Sequence, residues 1–130
     1  MARWVHDNVH DNGLNYIKTN AQRVLVLAAY ALNDSYATVT GGSNILAEAA
    51  VSSTDFTLAA GSPSGRKITS TAKTDSSANA TNTSTHLAFV DDTNSRVLWV
   101  TDESSGQTIY TGNGVNIPAV SYTMKQPDQT

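Results

Sequence analysis

Across residues 85–101 the chain alternates in a way that leaves it few options. Leu87 and Phe89 sit two apart, and so do Val97 and Trp99. Successive side chains of a strand point to opposite faces, so each pair is predicted to share one side of a strand. Between them, Asp91-Asp92-Thr93-Asn94-Ser95 is made of residues that bond their own backbone and favour turns. The stretch predicts a β-hairpin with a loop of about five residues. Leu87, Phe89, Val97 and Trp99 are its expected core packing residues.

The same logic extends outward. Val24-Leu25-Val26-Leu27 is a continuous apolar run, as in a strand buried on both faces, and predicts a strand over residues 23–29. Tyr36–Thr40 alternates and is expected to be another strand after the break at Asn33-Asp34-Ser35. Further strands are expected over residues 45–51, 66–72, 108–111 and 115–124, the last divided at Pro118, which has no amide donor. Residues 73–82 are polar and of low complexity, a loop or a Thr-rich edge strand. Turns are expected at Gly41-Gly42-Ser43-Asn44, at Asp102-Glu103-Ser104-Ser105-Gly106-Gln107 and at Gly112-Asn113-Gly114. Strands at such spacing argue for an all-β fold: a small antiparallel β-sandwich, immunoglobulin-like or jelly-roll-like. The expected layout is an N-terminal arm or short helix over 1–20, the β domain over 21–125 and a free tail over 126–130.

Composition narrows the classes of function. With 130 residues, the chain suits one domain and one modest core. It has no cysteine, which excludes disulfides, cysteine-bound zinc and a thiol nucleophile. A formal net charge of -3 with 15% charged residues offers no general attraction to nucleic acid or to an anionic membrane. The run Val24 to Leu32 is about half the length a membrane-spanning helix requires. Met1-Ala2-Arg3-Trp4-Val5-His6-Asp7 turns polar too early for a signal peptide, so synthesis without export is expected.

Candidate chemistry is sparse. His6-Asp7-Asn8 repeats as His10-Asp11-Asn12, and on a helix the two histidines would share a face suited to a divalent metal. Gly13 would end such a helix at once, and a polar arm with no metal is the preferred reading. His86 has aspartates nearby in sequence, but no serine is framed as a nucleophile elbow. Gly61-Ser62-Pro63-Ser64-Gly65-Arg66-Lys67 lacks the ending of a phosphate loop and runs into a strand. Asp91-Asp92 and Asp102-Glu103 are adjacent pairs, read as solvated turn charge rather than acid/base partners. No catalytic, cofactor or metal residue is assigned. The opening segment carries apolar residues, and Trp4, Val5, Val9, Leu14, Tyr16 and Ile17 are the candidate partner interface.

Four stretches bear a resemblance. They are Asp11-Asn12-Gly13-Leu14 after an aromatic, Gly65-Arg66-Lys67-Ile68-Thr69, the hairpin from Thr85-His86-Leu87-Ala88-Phe89-Val90-Asp91 through Thr93-Asn94-Ser95-Arg96-Val97-Leu98, and Gly112-Asn113-Gly114-Val115-Asn116-Ile117-Pro118. In that order they resemble small virion proteins of tailed bacteriophages, of the head-associated or decoration type. Val24 to Leu32 departs from the pattern, where the family tends to carry a Cys- and Pro-containing segment. The resemblance implies a non-enzymatic structural protein, located in the virion, that decorates or cements the capsid. Its partners would be the major capsid protein or other virion proteins, with a homo-oligomer expected and no nucleic acid or membrane. A neck, collar or tail component is the alternative within that class. A carbohydrate-binding β module, using Trp4, Trp99, Tyr110 or Tyr122, is the alternative from another class.

Overall fold

The computed structural model describes residues 2–102 and 106–127. The chain is mostly β, in several antiparallel sheets, with a helix at its N-terminal end. The helix α1 (Asp7–Asn20) leads into β1 (Arg23–Leu27). A short helix α2 (Tyr36–Thr40) and β2 (Ile45–Ala50) follow, then β3 (Phe56–Ala60), β4 (Arg66–Ser70), β5 (Lys73–Asp75) and β6 (Asn82–Thr83). The hairpin is β7 (His86–Asp91) and β8 (Arg96–Asp102). After it come β9 (Thr108–Ile109), β10 (Val115–Ile117) and β11 (Ser121–Met124). The expected turn at 102–107 and the expected tail are only partly covered, since Glu103 to Ser105 and Asp128 to Thr130 lie outside the described residues.

The central sheet runs β2-β1-β7-β8, all antiparallel, and a second sheet runs β11-β4-β3. The ribbons β10-β5 and β6-β9 complete the β structure. The apolar run of β1 explains the layering. Val24 and Val26 point into one core with Leu14, Ile17, Phe56, Ile68, Leu87, Phe89 and Trp99. Leu25 and Leu27 point the other way, into a second core with Val39, Ala88 and Val90. A strand wedged between two cores must be apolar on both faces, as β1 is from Val24 to Leu27. The first core lies under α1 and the β3-β4 pair, where Phe56 meets Phe89 edge-on at 5.6 Å between ring centres and Phe89 stacks on Trp99 at 4.7 Å. The second core lies under α2.

The hairpin forms in the expected place, but its far strand does not keep a simple alternation. Phe89 pairs with Trp99 and Val90 with Val97, so Leu98 is an extra residue and β8 bulges. A bulge reverses the faces beyond it. Trp99 and Leu98 therefore serve the first core, and Val97 packs on the second. The expectation that Val97 and Trp99 share a side is corrected on this ground. All four residues still pack, Val97 only partly buried.

Two other expectations change. Residues 36–40 form a helix instead of a strand, because Ser35 acts as its cap: the Ser35 hydroxyl accepts the Thr38 amide at 3.2 Å. Gly13 does not end α1; it lies inside the helix, where the Met124 sulfur sits 3.4 Å from the place a Cβ would occupy. Gly65 is needed in a stricter sense. Its φ is +81°, and a Cβ there would run into the Met124 carbonyl oxygen. Pro118 falls between β10 and β11, which pair with different partners, as its missing donor suggested.

Candidate partner-binding surface

The helix α1 starts because His6 adopts an extended backbone and its Nδ1 accepts the Asn8 amide at 3.0 Å. Asp7 in the first turn and Lys18 in the last complement the helix dipole. His10, Leu14 and Ile17 recur at helical spacing and are buried. Val9 and Tyr16, seven apart, form a different stripe and are exposed, Val9 at 60%. The helix is tied to the β body at two points. Asp11 bonds Arg66 of β4 at 2.8 Å, and the Tyr16 hydroxyl accepts from Arg96 of β8. Arg66's pKa is raised by the hydrogen bond to Asp11, offset in part by desolvation.

This splits the expected interface. Leu14 and Ile17 belong to the protein's own core and have no surface to offer a partner. Trp4, Val9 and Tyr16 remain outside, and Val5 is half-buried. Trp4 is 69% exposed, and its ring meets that of His6 nearly at right angles, with 5.4 Å between ring centres. Tyr122 adds another exposed ring beside the helix: it shares a strand face with Met124, which packs on Gly13, and it lies 6.1 Å from Trp99.

Sequence reasoning missed Gln126, placed in a free tail. Its side chain accepts the Val5 amide at 2.8 Å and donates to the Val5 carbonyl at 2.7 Å, and its own amide donates to the Ser64 hydroxyl at 3.2 Å. No local signal marks this residue, because the pairing joins positions 121 apart.

The groups considered for chemistry are engaged structurally. His6 caps α1, while His10 is buried with its Nδ1 lacking a hydrogen-bond partner among the described residues. Among the described residues, no group of three or more His, Asp or Glu side chains is close enough to hold a metal ion. His86 bonds the Thr85 hydroxyl at 2.8 Å, approaches Asp102 at 3.3 Å and lies 5.5 Å from the Tyr30 ring. The Asp91-Asp92 pair is not solvated turn charge. Asp91 is buried and holds the hairpin turn, accepting the amides of Thr93 and Asn94 and the Asn94 side chain. Asp92 takes two hydrogen bonds from Arg23, both at 2.8 Å, and one from the Tyr36 hydroxyl at 2.7 Å, while Arg23 also reaches Glu48 at 2.9 Å.

The electrostatics follow. The Arg23 hydrogen bonds hold Asp92 below the usual carboxylate range, against the opposing effect of burial, with help from Tyr36. Asp92 in turn raises Arg23 and Tyr36. Burial alone would raise Asp55, but hydrogen bonds from Lys73, the Ser52 amide and Thr71 outweigh it and lower its pKa. These shifts mark ties between elements, not groups poised for proton transfer.

Of the aromatic residues considered for glycan binding, Trp99 is buried between Phe89 and Tyr122 and offers no platform; Trp4, Tyr110 and Tyr122 are exposed. Comparison with protein-family models, with curated proteins and with solved structures found no match.

Proposed function

We propose that this chain is a non-enzymatic structural protein of a tailed-phage virion, decorating or cementing the capsid through protein–protein contacts. The observation that carries the reading is the exposed surface of Val9 and Tyr16 on α1, a helix that buries His10, Leu14 and Ile17 against the β body, together with exposed Trp4 in the segment just ahead of it. Exposed aromatic side chains are the anchors a protein interface uses, and Tyr16, held on a packed helix, loses little conformational freedom when covered. Burying one large aromatic contributes about 2–3 kcal/mol. The partner is the major capsid protein or another virion protein, and the chain acts as a homo-oligomer on it. The β-rich body fits a small sandwich, supported by the Phe56–Phe89 contact between β3 and β7.

The test is binding of the purified chain to particles assembled without it. Trp4→Ala combined with Val9→Ser is expected to weaken binding at least tenfold while leaving the circular dichroism spectrum and melting temperature unchanged. Full binding by that double variant would overturn the reading. Copy number per particle separates a decorating role from a neck or tail ring.

A further inference from the structure

The Gln126 side chain treats Val5 as a neighbouring strand would. An amide offers a donor and an acceptor side by side, and in extended backbone the N–H and C=O of one residue point to the same edge. Gln126 engages both groups of Val5, at 2.8 and 2.7 Å. Its side of the contact is fixed to the body through the Ser64 hydroxyl, next to the turn closed by the Gly61 amide and the Gly65 carbonyl. On the arm's side, Val5 directly precedes the extended His6 that caps α1. The clasp reads a main-chain unit, so it holds the arm without using a side chain of it. Trp4, the bulkiest side chain of the arm, is left 69% exposed.

We propose that residues 2–5 are a releasable strap: Gln126 parks it through the Val5 peptide unit, and capture of Trp4 by a partner draws it off the body. The parked state satisfies the Val5 backbone but leaves the burial of Trp4 unrealised. A partner that covers the indole favours the released state, and a ligand shifts such an equilibrium only through a differential interaction of this kind. Release then frees the N–H and C=O of Val5 to pair with an edge of the partner's backbone. The capture step rests on the reading of the chain as a virion binding protein; the clasp itself does not.

Hydrogen exchange on the isolated full chain tests both halves. Gln126→Ala is expected to speed exchange of the Val5 amide about tenfold or more. The amides of β1 and β7 should keep their protection, showing that the fold is intact. Unchanged exchange at Val5 would overturn the clasp. Trp4→Ala is expected to leave Val5 exchange as it is, because the parked indole holds nothing down. If Trp4→Ala freed Val5 as fully as Gln126→Ala, the indole would be an internal anchor and release by capture would be overturned. Neither outcome depends on particle binding, so failure of the virion reading leaves the clasp result standing.

Discussion

Arg23 ties several elements together. It begins β1, grips Asp92 in the hairpin loop with two hydrogen bonds and reaches Glu48 on β2, while Tyr36 of α2 joins through Asp92. Removing its guanidinium leaves Asp92 and Glu48 without their cation, a loss of about 2 kcal/mol for charge-assisted bonds at a partly buried site. Asp92 titrates below its unfolded value. Its contribution is therefore complete above the unfolded value of about 4 and is lost as pH falls through the folded value. Asp55, also lowered, acts with the same sign. Urea midpoints measured from pH 7 down to pH 2 are expected to fall in the acid range. Asp92→Asn is expected to start lower and fall less steeply; a parallel decline would show that Asp92 has no part in it. The linkage was not legible beforehand, since a reading by turn chemistry treats both aspartates of the loop alike. Burial and the reach of Arg23 gave Asp91 and Asp92 different duties.

At the scale of elements, α1 shows how local signals and packing compete. The arm or short helix expected over 1–20 is a helix that ends at Asn20. Gly13 argued against continuity, yet the helix runs through it because both sides of the glycine are anchored: His10 is buried before it and Leu14 and Ile17 after it, with Met124 against the glycine itself. A methyl group at position 13 meets the Met124 sulfur at an ordinary contact distance of 3.4 Å. Gly13→Ala is therefore expected to stabilise the protein by about 0.5–1 kcal/mol through helix propensity, read from the urea midpoint. A loss of stability would mean that Met124 cannot shift. In α2 the balance went the other way. Tyr36, Thr38 and Thr40 alternate with Ala37 and Val39 as in a strand, but Ser35 caps the segment and Val39 is the one residue of it buried in the second core. One cap and one buried side chain decided a five-residue segment against its β-branched composition.

For the whole molecule, the arm and the body are not separable where composition divided them. The expected layout separates an arm or short helix over 1–20 from a β domain over 21–125. The first core includes Leu14, Ile17 and Ala21, all buried, and α1 is tied to β4 through Asp11 and Arg66. Deleting residues 1–20 is expected to unfold the protein, because losing Leu14 alone costs about 2–5 kcal/mol, a large share of a small domain's stability. Deleting residues 1–5 is expected to leave the melting temperature nearly unchanged. Calorimetry on the two truncations checks this, and a folded chain lacking residues 1–20 would refute it. What the sequence determined by itself was periodic and local: a β-rich chain, the hairpin around Asp91 to Ser95, the doubly buried run of β1, the division at Pro118. Such features follow from alternation and turn chemistry within a few residues. The tertiary structure alone decided the bulge at Leu98 that turns Val97 to the other core, the face of α1 that is buried and the face left exposed, and the clasp of Gln126 on Val5. Each depends on atoms brought together from distant positions, where packing volume and hydrogen-bond geometry, and no short-range pattern, set the outcome.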